Sequence, residues 1–447
     1  LGLHWWLLIG PGRVDLTRSD WPRQVAYFGL LREAVTTGQL PLQASAPVFD
    51  LGPWLWANLE APFAPHHVLF AVWGPATAIG LTAVLMALVG VAGCLRLARR
   101  FALSPPATTL LTVALGINGV ITSHVAAGHL AWLSALLFPW VLDALLDTDA
   151  ADPRESRRAG LQLGTIIGLM LLTGAVHIAV EAALLAVLVG LTRSASRKVV
   201  VLGLATGAGL SLWRVLPAAI AFAHSSRPWL ADGFRNGWVL LEGLGAVRSP
   251  LTTVDVGTTL IGGGREALAL HWFEFDAYIG GVLLLLVAVF VPRWPRAPAD
   301  DRGTLQTLRR FEWPIAIAAG LTISRVYAAF VPAPYSLLSV VRVPSRFLLP
   351  ALCAAMFVAI VRADAWRARR NAAPYDAWLA WSCVAGASVA LVYHSVAVSP
   401  GYVAYPVTIP AFDGHLAPLP AASMLGIHAA GLAASAVTAL WMWRHRR

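Results

Sequence analysis

Continuous apolar runs of about 17 to 25 residues recur from one end of this chain to the other, and they leave few folds open. A helix of that length crosses the hydrocarbon of a bilayer and satisfies its own backbone hydrogen bonds on the way. A membrane β-barrel would instead show segments of about ten residues with alternating hydrophobicity. Composition agrees: 58% of the 447 residues are hydrophobic, 13% are charged, 19 are tryptophan, and the mean hydropathy is +0.68. The expected fold class is all-α, a polytopic transmembrane helical bundle of about twelve spans that forms a single transmembrane domain over residues 1–447.

The spans are expected near 1–10, 67–93, 106–123, 130–146, 160–177, 178–192, 199–222, 277–292, 313–332, 347–362, 376–397 and 425–443. The chain enters at once in apolar sequence at Leu1, which fits the last half of a first transmembrane helix better than a cleaved signal.

Arginines in short loops mark the cytoplasmic side. They cluster at Arg96, Arg99 and Arg100, at Arg154, Arg157 and Arg158, at Arg193, Arg197 and Lys198, and again at Arg293 to Arg310, Arg362 to Arg370 and Arg444 to Arg447. Every second loop is therefore basic. The intervening loops, 11–66 and 223–276 above all, are expected on the outside, which in a bacterium places the protein in the cytoplasmic (inner) membrane with these loops in the periplasm. The net charge of +10 is accounted for by this topology, and no basic domain exists to hold a nucleic acid.

Within the first loop, residues 21–37 place Trp21, Val25, Phe28, Leu31 and Val35 on one side and Arg23, Arg32 and Glu33 elsewhere, the pattern of a helix lying in the membrane interface. The three cysteines, Cys94, Cys353 and Cys383, have no paired spacing and read as small packing residues. No P-loop, dinucleotide fingerprint or zinc spacing is present, and Gly262-Gly263-Gly264 reads as a turn in an external loop.

The first loop also carries Asp20-Trp21-Pro22-Arg23-Gln24, then Gly38-Gln39-Leu40-Pro41-Leu42, Phe49-Asp50-Leu51-Gly52-Pro53 and Leu59-Glu60-Ala61-Pro62. Together these segments resemble the first periplasmic loop of GT-C fold membrane glycosyltransferases, YfhO-like proteins in particular. Val341-Arg342-Val343-Pro344-Ser345-Arg346-Phe347 is similar to a segment near the outer end of a late helix in that group. The resemblance implies a GT-C-like bundle and an enzyme that moves a sugar from a polyprenyl-phosphate-linked donor to an acceptor outside the membrane. One departure is the lack of a sizeable external domain after the last spans, which leaves acceptor recognition to the loops.

Such a transfer needs a carboxylate as base and cations for the leaving phosphate. Asp20, at the start of the interfacial helix, is the first choice of base, although a plain helix N-cap explains it equally well. Asp15 and Glu60 follow. Gln24, His124 and His129 are candidates for groups around the base or the acceptor. Asp20 with His66 and His67 is a candidate set for a divalent metal, Mg or Mn, without diagnostic spacing. Arg342 and Arg346 are the candidates for the donor phosphate, set against a simpler role as snorkelling residues at the head groups.

Arg214, Arg325, His177 and Glu181 lie within apolar runs, where ionisable groups face a cavity or one another. They keep a secondary transporter or lipid flippase open as an alternative, beside a non-catalytic membrane subunit of a larger complex.

Overall fold

The computed structural model describes all residues except 48–53, 148–151, 193, 224–232, 250–251, 262–263, 293–306, 331–342, 370–373, 404–411, 418–421 and 446–447. Helices dominate. In chain order they are α1 (Gly2–Ile9), α2 (Trp21–Thr37), α3 (Pro65–Ala71), α4 (Pro75–Arg100), α5 (Pro105–Gly116), α6 (Gly119–Ala126), α7 (Phe138–Leu146), α8 (Pro153–Leu172), α9 (Val176–Thr192), α10 (Ser194–Ala223) and α11 (Gly237–Gly245). The antiparallel strands β1 (Thr253–Ile261) and β2 (Gly264–His271) follow, then α12 (Gly280–Phe290), α13 (Glu312–Leu321), α14 (Ser324–Phe330), α15 (Leu348–Arg369), α16 (Pro374–Val403) and α17 (Ala422–His445).

Among the described residues six helical segments are long and apolar enough to cross a membrane: Pro75–Arg100, Pro105–Ala126, Ser196–Ile220, Pro344–Arg369, Ala377–Val398 and Met424–His445. The chain is thus a multi-pass helical membrane protein. Three more expected spans appear as shorter apolar helical segments, Leu130–Leu146, Val176–Thr192 and Gly280–Phe290. The one departure from helix among the named elements is the β-hairpin in the 223–276 loop, paired from Thr253 with His271 to Ile261 with Gly264.

Two expected boundaries move for identifiable reasons. The expected join at 177 and 178 lies earlier: α8 ends at Leu172, and Gly174, at φ +84°, turns the chain into α9, so His177 and Glu181 share the first turns of one helix. The expected span 106–123 is broken at Ile117, where the buried Asn118 bridges the two pieces. Its side-chain amide donates to the Ala114 carbonyl at 3.2 Å, and its Oδ1 accepts from the Ile121 N–H at 3.3 Å. The side chain thereby satisfies backbone groups that lipid cannot.

Helix α2 forms where its amphipathic pattern puts it, with Pro22 in its first turn and the αL residue Gly38 after its last. Its buried face is turned from the expected one. Gln24, Tyr27 and Leu30 are buried with Trp21, Phe28 and Leu31, whereas Val35 is 41% exposed. The reason is that α2 packs on α3 and α4 rather than lying alone on lipid.

Small residues set the closest helix approach. A Cβ on Gly160 would meet Leu202 at 2.9 Å, and one on Gly164 would meet the Gly203 carbonyl at 2.6 Å, so α8 and α10 pack nearly backbone to backbone. On the other side of α10, Gly209 gives room to Thr438 of α17.

Arginines close three of the helices. Arg214 donates to the carbonyls of Leu171 and Leu172 at the end of α8 and to that of Asn58 in the first loop. Arg310 donates to Leu145 and Leu146 at the end of α7, and Arg362 to Phe290 and Val291 at the end of α12. A cation at a helix C-terminus meets the negative end of the dipole and the orphan carbonyls together. Arg214 is thus accounted for inside its apolar run. Arg325, by contrast, is exposed.

Candidate functional site

The first loop folds back so that residues 19–21 dock on the turn after α6. Ser19 Oγ donates to the Ala127 carbonyl at 2.8 Å, the Asp20 N–H to the same oxygen at 3.3 Å, and Trp21 Nε1 to Ala126 at 3.2 Å. Gly128 makes this contact feasible: its φ is +94°, and a Cβ there would lie 2.6 Å from the Trp21 nitrogen.

Docking puts Asp20 against His129, with 2.6 Å between Oδ2 and Nε2. Asp20 occupies the N-cap position of α2, but its side chain makes no capping bond. The carboxylate therefore serves the histidine rather than the helix. Burial pushes the Asp20 carboxyl up, but the hydrogen bond from His129 and the charges of His129 and Arg23 outweigh it, so the group stays below the ordinary carboxylate value.

From His129 a line of polar groups runs inward. Its Nδ1 lies 3.0 Å from Nδ1 of His124, whose Nε2 lies 3.8 Å from Glu274 Oε2. Glu274 receives Arg346 through both oxygens, at 2.9 and 2.6 Å. With Asp20 ionised, His129 donates to it from Nε2, and the two Nδ1 atoms share one proton across their contact. Aromatic rings hold the line in register. His124 stacks on Trp132 at 3.6 Å, Phe273 sets its ring edgewise to both imidazoles at 5.5 Å, and the Arg346 guanidinium lies 5.8 Å from the Trp132 ring centre.

Glu181 is fully buried, and neither of its carboxylate oxygens has a hydrogen-bond partner among the described residues; the charges of Arg346 and Glu274 act on it. A second buried cluster lies close in sequence. Asp276 accepts from Ser123 at 2.6 Å and meets His394 Nε2 at 2.8 Å, and the Tyr278 ring is stacked on His394 at 4.7 Å. The Tyr278 carbonyl accepts the Gly119 N–H at 2.7 Å, so the 223–276 loop re-enters the bundle at the break between α5 and α6.

Compared with protein-family models and with curated proteins, the chain matches no family model and no curated protein. Function is therefore argued from the geometry.

The structure joins some of the expected site residues and separates others. Asp20, His129, His124 and Arg346 fall on one line. Glu60 is adjacent: it takes Arg23 Nη1 at 3.0 Å, and its charge acts on both Asp20 and Arg346. Gly174 seats this part of the loop, since a Cβ there would lie 2.4 Å from the Glu60 carbonyl. Asp15 stands apart in an exposed turn, accepting from the N–H and hydroxyl of Thr17 at 3.0 and 2.6 Å and from Arg18 at 3.0 Å. Arg342 lies outside the described residues.

Two further expectations are corrected. Asp20 does not gather with His66 and His67, which sit on α3. His67 is buried edge-on to Phe28, and burial lowers both imidazoles, His66 to about 4. Among the described residues no group of three or more His, Cys, Asp or Glu is placed to hold a metal ion. Gln24 turns away from Asp20 and lines a cavity of about 10 Å³ with His67, Thr82, Ser134 and Thr173, room for one water. Arg346 does not snorkel to the surface; it is buried.

Glu274 and its aromatic neighbours were not foreseen. Their signal is the run Trp272-Phe273-Glu274-Phe275-Asp276, which alternates rings with carboxylates just before an apolar helix.

Proposed function

We propose that this chain is a membrane glycosyltransferase, GT-C-like, that moves a sugar from a polyprenyl-phosphate-linked donor to an acceptor at the outer, periplasmic face of a bacterial cytoplasmic membrane. The observation that carries the reading is the Asp20–His129 pair. A carboxylate kept ionised by an imidazole, with 27% of its side chain exposed, sits where the first loop meets the bundle. An ionised, part-exposed carboxylate there can take the proton of an acceptor hydroxyl while the oxygen attacks the anomeric carbon from the face opposite the leaving phosphate. His129 holds the carboxylate in place, and the His124 contact holds the imidazole.

The cation for the leaving phosphate is Arg346, with Arg342 beside it in sequence. Glu274 now occupies Arg346 in a bidentate pair, so the guanidinium takes a phosphate only by exchanging one anion for the other. Glu60 holds Arg23 near the base.

One observation favours a second reading, a secondary transporter or lipid flippase. Glu181 is a buried, unpartnered carboxylate inside an apolar helix beside the Arg346–Glu274 pair, which is how ion pathways look.

The deciding experiment is sugar transfer from a panel of radiolabelled polyprenyl-phosphate sugars by purified wild type and Asp20→Asn, both checked for folding by size exclusion. Transfer by wild type that disappears in the variant supports the enzyme with Asp20 as base. Equal transfer by both moves the base to Glu60 or Asp15, and no transfer from any donor favours the transporter reading.

A further inference from the structure

At the basic end of the bundle, away from Asp20, helices α8 and α17 both lean on α10 and diverge, leaving an open groove of about 610 Å³. Arg158, Gln162 and Thr165 line one wall at i, i+4 and i+7 of α8, with Leu161 between them; Met442 and Trp443, from the last turn of α17, line the other. We propose that this groove binds an anionic glycerophospholipid, with its phosphate on Arg158 and an acyl chain laid between Leu161 and Met442.

Three observations support that occupant. Arg158 has no hydrogen-bond or ion-pair partner among the described residues. Asp143, which Gln162 of the same wall contacts, is already held by Arg96 and Gln162 at 2.5 and 3.1 Å. A cation at the membrane surface with its charge unspent attracts anionic lipid. Second, the groove opens sideways: only 17% of the central window of α17 is buried inside the protein, so a lipid enters from the bilayer without displacing a helix. Third, the polar wall carries its one cation in the second turn of α8 and faces an apolar wall, with the exposed Trp443 next to Arg444, an arrangement that suits a head group beside a chain.

The test uses the full-length protein and does not depend on any transferase activity. Native mass spectrometry counts phosphatidylglycerol and phosphatidylcholine retained by wild type, Arg158→Ala and Arg158→Lys, released from mixed nanodiscs of the two lipids. Wild type is expected to retain phosphatidylglycerol about fivefold over phosphatidylcholine, the preference one arginine near an anionic surface gives. Arg158→Ala should lose that preference, and Arg158→Lys, which keeps the charge and the fold, should retain most of it. Equal retention of the two lipids by wild type overturns the proposal, as does a preference that survives Arg158→Ala. Displacement of the lipid by millimolar inorganic phosphate would show a site for the anion alone and also overturns it. So would an Arg158-dependent dimer that retains no lipid, which would make a second copy the occupant.

Discussion

His129 Nε2 and Asp20 Oδ2 lie 2.6 Å apart although 109 residues separate them, and the contact exists only because the first loop hangs from the carbonyls of Ala126 and Ala127. The carboxylate and its partner therefore come from two segments that must dock before either is useful.

Replacing His129 with alanine removes the hydrogen bond that keeps Asp20 ionised and leaves burial, which favours the protonated acid. The base works as carboxylate, so transfer falls as pH drops through its folded pKa. In His129→Ala that fall moves to higher pH, and transfer near neutrality drops about a hundredfold or more. Transfer rates measured from neutral to acid pH in both proteins check this; an unmoved acid limb would separate Asp20 from the chemistry.

Glu274→Gln leaves Arg346 buried opposite a neutral amide. Loss of one partner from a buried pair destabilises by about 3–5 kcal/mol, whereas replacing both Glu274 and Arg346 with apolar residues should restore much of it. The buried thiols Cys94 and Cys353 report unfolding, since a thiol reagent reaches them only when the bundle opens. The single variant should have a lower thermal midpoint and the double variant regain it, with transfer absent from the double variant, which lacks Arg346.

Gly128→Val combines a positive φ with a side chain driven into the backbone of Asp20 and Trp21. Strain of about 1–3 kcal/mol follows from the backbone alone. The expected outcome is a folded bundle whose first loop is unseated, visible as faster proteolysis between Asp15 and Trp21 and loss of transfer. Unchanged protection of that segment would contradict the docking.

His66 predicts an acid-sensitive stability. Burial holds its folded pKa at about 4 against an ordinary 6.5, so the unfolded chain takes up the proton first as pH falls. Its contribution is complete above pH 6.5, declines between 6.5 and about 4, and levels off below. The thermal midpoint of wild type should fall across that window more steeply than that of His66→Gln; parallel curves would mean that His66 is solvated in the fold.

Much of the fold was legible where apolar length decides, and much less where a single polar side chain does. The spans at 130–146 and 178–192 follow from hydropathy, but averaging over a window hides Asn118, which breaks one helix into α5 and α6. The chain's small β-hairpin lies in a loop whose pattern gave no sign of it. Asp20 stood out because it opens an amphipathic helix in a polar loop, and His129 because it lies at the end of a span on the same face. Glu274 did not, since its importance comes from Arg346, 72 residues away. Grouping His66 and His67 with Asp20 relied on their sharing one loop; α3 sets His67 edge-on to Phe28 and His66 against Phe70 instead.

Arg214 ties the first loop to the end of α8 through three carbonyl oxygens, none of which gains or loses a proton. The Asp20 carboxylate does take up a proton in acid. Acid can therefore silence the base while the loop that carries it stays fastened, and a return to neutral pH restores it without any refolding. The protein has separated the hinge pin from the switch.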